Sequence, residues 1–268
     1  MRSNHLLDQT TKLPRHEAER LLALASGRTR SDLVMGVDVD SETEARFEAL
    51  VARRTGDEPL QYIEGSVPFG PVDIAVDARV LVPRPETEYL FEMVTAMVSS
   101  PKMIVDLCTG SGNLALACKA TFPDASVYAT DLSADAIAVA TSNAHSNGLD
   151  VNILTGDLFE PLPSTLRSKV DVLVANPPYL ADDELSGVPP DVRREPTMAL
   201  VSGPQGDEIV YRIAEGLGAW LRPGGLFAIE VSEFHAHRVV GFFAQHDARV
   251  VQDLTGRDRY VFGSTHVK

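Results

Sequence analysis

Along the first sixty residues, apolar positions recur at helical spacing. In "RHEAERLLALAS", Leu21, Leu22 and Ala25 fall on one face and charged residues occupy the other. The pattern predicts helix from Arg15 to about Arg54. "SETEARFEALVARR" opens with Ser41 and Glu44 at capping-box spacing, which predicts a helix start at Ser41. "VPFGPVDIAV" then alternates like two short strands around a Gly-Pro turn. "VLVPRPETEYLFEMVTAMV" begins extended, because Pro83 and Pro85 disfavour helix before them, and turns amphipathic from Glu86 onward.

After residue 100 the texture changes. Short apolar runs, "MIVDL", "SVYATD", "VNILTGD", "VDVLVAN" and "GLFAIEV", read as strands. Helical segments at about 111–121, 133–146 and 206–221 separate most of them. Strands alternating with helices predict a doubly wound α/β fold with a mostly parallel, Rossmann-like sheet. The last strands, near 248–253 and 259–263, are joined by "TGRD" and predict an antiparallel terminal hairpin. The expected organisation is a small helical N-terminal domain over residues 1–75, a linking β-hairpin reaching to about 84, and an α/β domain over 85–268.

In open α/β sheets, ligands sit beyond the carboxyl ends of the strands. The residues just after each strand are therefore the candidates. The first strand runs into "DLCTGSGNLALA", with Asp106, Cys108, Thr109, Gly110, Ser111 and Gly112 leading into a helix. Glycines let backbone approach a ligand closely, and the helix N-terminus offers unpaired N–H groups. Asp131 follows the second strand, about twenty residues on, where an acid can accept from two ribose hydroxyls. Asp157 and Leu158 follow the third. Taken alone, Gly110 to Ala115 matches G-x-G-x-x-A, which fits an NAD-dependent oxidoreductase as well as another nucleoside ligand.

The fourth strand discriminates. It ends in Asn176, Pro177, Pro178 and Tyr179, for which a dehydrogenase has no evident use. An amide nitrogen is a poor nucleophile because its lone pair is delocalised into the carbonyl. If the Asn176 side-chain oxygen and the Pro177 carbonyl each accept one N–H, a planar –NH2 is held in a fixed orientation. Its lone pair can then develop toward an electrophilic methyl. Two acceptors so placed stabilise the developing positive charge, the mirror image of an oxyanion hole. The two prolines hold the carbonyl rigidly, and Tyr179 offers a face for the flat group.

Composition narrows the classes. Hydrophobic residues make up 44% of the 268, enough for a core. A net charge of −14 argues against broad phosphate binding and so against direct contact with nucleic acid. Two cysteines, Cys108 and Cys118, make no disulfide framework. The N-terminus lacks a signal-peptide apolar core, and no run approaches membrane-spanning length. A cytoplasmic monomer is expected.

Together these residues resemble class I S-adenosylmethionine-dependent methyltransferases. More closely, the chain resembles the enzymes that methylate N5 of the Gly-Gly-Gln glutamine in peptide-chain release factors. The resemblance spans nearly the whole chain, through "EPLQYIEGSVPFG", "VLVPRPETEYL", "DLCTGSGNLALA", "ANPPYL" and "DLTGRDRYVFG". The NPPY element is shared with adenine-N6 methyltransferases of DNA and RNA, which act on a flipped base. The "PRPETE" stretch and the helical N-terminal region point to the release-factor group. The resemblance implies S-adenosylmethionine as cofactor and a release factor as protein partner. It implies that Gly110 and Gly112 lie against the methionine part, with Asp106, Cys108, Thr109 and Ser111 shaping that loop. Asp131 would hold the ribose, and Asp157 and Leu158 would border the adenine. Asn176 to Tyr179 would bind the glutamine amide, with Arg84 and Glu88 helping to close the site. The N-terminal helices would dock the release factor. Two positions depart from the family. Residue 108 is Cys where Gly is frequent, and "VSEFHAHRV" replaces a stretch that commonly carries Gly and Gln.

Other features have plainer readings. His235 and His237 form an H-x-H without a following acid or Cys at ligand spacing, so no metal is expected. Cys118 belongs to a helix core, and Arg257, Asp258 and Arg259 pin the terminal hairpin.

Overall fold

Helix α2 (Arg15–Ser26) buries Leu21, Leu22 and Ala25 on one face, as its periodicity demands, in a computed structural model that describes residues 2–266. The helical region is broken more often than its pattern suggests. α1 (Ser3–Gln9) precedes α2, and α3 (Arg30–Met35), α4 (Ser41–Thr55) and α5 (Leu60–Glu64) follow. Gly27 and Gly36 end α2 and α3 at φ 66 and 84, the left-handed region that favours glycine. The cap of α4 is Asp40 rather than Ser41: its carboxylate accepts from Thr43 N at 2.7 Å. An aspartate at this position caps as well as serine, so Ser41 becomes the first helical residue. Leu7, Leu21, Leu22, Leu33 and Phe47 form the core of this unit.

The N-terminal unit comprises residues 1–65 and takes in the later segment Pro189–Arg194. Its boundary falls at Gly65, not at 75–85 as the sequence pattern suggests. The hairpin of β1 (Ser66–Phe69) and β2 (Val72–Ala75) belongs to the α/β unit instead. The cause is side-chain bonding that no local pattern reveals. Asn143, buried on α8 (Ala134–Ser146), accepts from Ala75 N at 2.9 Å and donates to Ala75 O at 3.0 Å. Its amide also donates to Ser111 O at 2.9 Å, so one side chain ties the hairpin to the glycine loop.

The α/β unit is built on a seven-stranded sheet. In chain order, helix α6 (Pro85–Met97) leads to β3 (Met103–Leu107), α7 (Asn113–Thr121), β4 (Ser126–Asp131) and β5 (Asn152–Thr155). Then come β6 (Val170–Ala175), β7 (Leu180–Ala181), α9 (Thr197–Leu200) and β8 (Val201–Gly203). The chain closes with α10 (Glu208–Leu217), β9 (Leu221–Glu230), α11 (Ala236–Val239), β10 (Asp247–Gln252) and β11 (Asp258–Ser264). The strand order is β10-β11-β9-β6-β3-β4-β5. β9, β6, β3, β4 and β5 run parallel, and β11 and β10 close one edge antiparallel. From β3 the chain moves to β4 and β5, then crosses back to β6 on the other side of β3. This reversal opens a crevice at the carboxyl ends. The two-residue strand β7 pairs parallel with β8, and Tyr179 N donates to Leu200 O, fixing the chain just beyond β6. No helix of the described residues is long and apolar enough to cross a membrane.

Replacing Asn143 with alanine leaves the partly buried backbone groups of Ala75 and the buried carbonyl of Ser111 without their partners, which should destabilise the fold by about 2 kcal/mol in urea unfolding. Asn147 makes similar bonds to Asp73, but more exposed ones. Its replacement with alanine should therefore lower stability by about 1 kcal/mol or less. Equal effects would show that Asn143 is not what anchors the hairpin.

Candidate active site

Beyond the carboxyl ends of β3, β4, β5 and β6 lies a cavity of about 420 Å³, within the range of small-ligand sites. It receives Asp106, Cys108, Thr109, Gly110 and Ser111 from the first loop, together with Asp131, Asp157, Leu158, Asn176 and Pro178. Gly112, Pro177 and Tyr179 stand outside its lining. The backbone explains the loop's composition. Gly110 and Gly112 have φ of 55 and 85, and a Cβ on Gly112 would meet Ala140 Cβ at 3.2 Å. At Gly110 a Cβ would meet nothing within 4 Å, so that backbone faces open space. Cys108 has φ 58, which shows why glycine suits this position; the cysteine accepts the strain.

The acids are set differently. Asp106 is fully buried; Thr109 Oγ1 donates to its Oδ2 at 2.5 Å and Ala115 N at 3.1 Å. Its Oδ1 is buried with no hydrogen-bond partner among the described residues. Burial pushes this carboxyl up to about 7. Asp131 accepts from Gly110 N at 2.8 Å through Oδ2 and from Ser133 N at 2.9 Å through Oδ1, bridging the ends of β3 and β4; burial raises it too. Asp157 is paired with Arg212 at 2.7 Å, and both line the cavity. The Leu158 carbonyl accepts from Thr130 Oγ1 at 2.9 Å, holding that turn at a positive φ of 48.

At the end of β6, Asn176 Nδ2 donates to Thr87 Oγ1 at 2.9 Å, in the first turn of α6. Thr87 Oγ1 donates to Glu230 Oε2 at 2.7 Å, and the Tyr179 hydroxyl donates to Glu230 Oε1 at 3.2 Å. Sequence reasoning missed Glu230 and Thr87. Both are buried, and Thr87 lies inside the quoted "PRPETE" while Glu230 ends the strand "GLFAIEV", positions the rule on strand ends would have found. Burial raises the Glu230 carboxyl to about 7. Arg84 and Glu88 stand elsewhere than expected. Arg84 pairs with buried Glu195 at 2.5 Å, whose Oε2 also accepts from Val82 N, and Glu88 accepts from Gly70 N at 2.7 Å. Neither lines the cavity, because both are spent on bracing the hairpin and the proline-rich loop. Arg259 leaves its hairpin role, with its guanidinium 6.0 Å from the Tyr179 ring centroid.

Two carboxyls titrating near 7 when folded but near 4 when unfolded bind protons more tightly in the native state. Their contribution to stability is therefore full below pH 4 and lost as pH rises to about 7. The stability difference between the wild type and an Asp106→Asn, Glu230→Gln variant should shift toward the variant between about pH 4 and 7 in urea titrations and level off above that. A difference independent of pH would contradict the burial-driven shifts.

The family comparisons agree with this geometry. Residues 86–188 match the methyltransferase small domain and residues 3–65 match the PrmC N-terminal domain. A release factor glutamine methyltransferase of Moorella thermoacetica is 40% identical, covering 92% of this chain and 89% of its own. One from Deinococcus radiodurans is 36% identical, covering 92% and 90%. A methyltransferase structure from Pyrococcus furiosus superposes with a TM-score of 0.55 at 18% identity, over 73% of this chain and 90% of that one, and shares the fold. By its sequence along nearly its whole length, the chain belongs to the release factor glutamine methyltransferase family.

Proposed function

We propose that this protein transfers a methyl group from S-adenosylmethionine to the side-chain amide nitrogen of the Gly-Gly-Gln glutamine of a peptide-chain release factor, in the cytoplasm. The observation that carries the reading is the Asn176 carboxamide at the cavity wall. Its –NH2 is committed to Thr87, so its Oδ1 is the edge left to meet a substrate N–H. Pro177 O supplies the second acceptor, on a backbone stiffened by Pro178.

The cavity suits the cofactor. A buried carboxylate oxygen without a partner, Asp106 Oδ1, complements the α-ammonium of an amino acid. The open backbone at Gly110 would leave room for its methionine part, Asp131 would hold the ribose, and Asp157 and Leu158 would border the base. Bound there, S-adenosylmethionine supplies an electrophilic methyl. Asn176 and Pro177 hold the glutamine nitrogen so that its lone pair faces that methyl. They also stabilise the positive charge that grows on nitrogen as amide conjugation is lost. No strong base is needed, since the proton can leave to water once nitrogen carries the methyl. The N-terminal unit is assigned the recognition of the release factor, and no part of the reaction requires nucleic acid.

Incubation of purified release factors with this protein and S-adenosylmethionine should add one methyl, located by intact-mass and peptide spectrometry at the Gly-Gly-Gln glutamine. Asn176→Ala should lower kcat/KM by about a hundredfold or more, while cofactor binding by calorimetry stays within about threefold. Cofactor binding without glutamine methylation, or methylation of adenine in nucleic acid instead, would overturn the assigned acceptor.

A further inference from the structure

We propose that Thr87 and Glu230 form a hydrogen-bond relay that fixes which edge of the Asn176 amide faces the acceptor, making Glu230 a positioning residue for methyl transfer. The inference rests on the glutamine-methylation reading above. The relay's direction follows from counting protons. An ionised carboxylate only accepts, so Thr87, with one proton, spends it on Glu230 Oε2 at 2.7 Å. Its oxygen can then only accept along the other contact, and the Asn176 atom 2.9 Å away has to be the –NH2. A carboxamide is planar, so committing Nδ2 to Thr87 turns Oδ1 to the opposite edge. Tyr179 spends its own proton on Glu230 Oε1. Three side chains thereby hand their polarity to one carboxylate that is 1% exposed.

The reverse arrangement disables the acceptor. With a proton on Oε2, Glu230 donates to Thr87, and Thr87 can pass its own proton toward Asn176. The amide then gains by flipping, with Oδ1 toward Thr87 and –NH2 toward the substrate. Two –NH2 groups would face each other, and neither accepts. The groups around Glu230 set where this happens. Burial is the largest influence and disfavours the charge, and Glu86 on α6 adds to it. Arg259 on β11, Thr87 on α6 and Tyr179 beyond β6 favour the charge. The balance places the carboxyl at about 7. "PRPETE" thereby acquires a chemical role through its threonine: the first turn of α6 carries the relay between the ends of β6 and β9.

The test is steady-state methylation of a release factor as a function of pH, with cofactor affinity measured on each variant. Wild-type kcat should fall as pH drops below about 7. Thr87→Val, which keeps shape but loses the hydroxyl, should reduce kcat by about ten- to a hundredfold, with cofactor Kd and protein-substrate KM within about threefold. Thr87→Ser should restore most of the rate. Glu230→Gln, which cannot titrate, should lose the acid limb while keeping cofactor affinity. A valine variant as fast as wild type, or an acid limb unchanged in Glu230→Gln, overturns the relay. A merely structural role would instead weaken cofactor binding and leave the acid limb where it was. Wild-type protein that leaves the glutamine unmethylated overturns the functional reading itself, a result separate from the variants' behaviour.

Discussion

Everything at the site depends on parallel strands ending level with one another. The register pairs Leu107 with Ala175, and Ala175 with Ile229. The next residues along these three strands are therefore Cys108, Asn176 and Glu230, side by side on one edge of the sheet. No loop has to be trained into position for this to happen. Backbone hydrogen bonds along β3, β6 and β9 set it, and those are among the most protected interactions in an α/β core. The antiparallel edge contributes as well: β11 pairs Tyr260 with Glu230 and brings Arg259 against Tyr179.

A level edge also imposes a difficulty, because it buries charge. Asp106 and Glu230 are almost completely hidden from solvent, and burial pushes both well above an ordinary carboxyl. Buried acids of this kind oppose the ionised form unless partners are supplied. The two are answered differently. Glu230 receives Thr87 and Tyr179 on its two oxygens, so its polarity serves neighbouring side chains. Asp106 is satisfied on one oxygen only, and the other has no partner among the described residues. A buried oxygen without a partner is costly, and a cationic group beside it would offset that cost. The distinction separates an acid hydrogen-bonded on both oxygens from one hydrogen-bonded on a single oxygen.

The parts legible in the sequence were those encoded locally. Strand-like runs, the glycine loop and the Asn-Pro-Pro-Tyr terminus are contiguous, and Gly110, Ser111, Asn176 and Pro178 from them line the cavity at the strand ends. What escaped was encoded between distant positions. Thr87 meets Glu230 across 143 residues, and Asn143 meets Ala75 across 68. The first pair hid two residues of the site, and the second moved the domain boundary to Gly65. Arg84 and Glu88 stay outside the cavity lining for a related reason. Charges in a proline-rich loop beside a ligand site look available, but here Glu195 and the Gly70 backbone claim them. The Asp40 cap is a smaller case: two capping residues stood next to each other, and spacing alone could not rank them.

The acceptor clamp itself is less selective than the chemistry suggests. Two acceptors and a flat surface recognise any –NH2 on a planar carbon, and glutamine, asparagine and adenine all present one. A pair of acceptors would reject hydroxyls and tertiary nitrogens, which cannot donate twice, but could not tell one carboxamide from another. Selection among them has to come from contacts away from the reacting nitrogen, as remote binding energy generally does. The helical unit up to Gly65 has its own core around Leu21, Leu22 and Phe47. The choice of one glutamine over another planar nitrogen is then a matter of binding energy gathered away from the sheet edge.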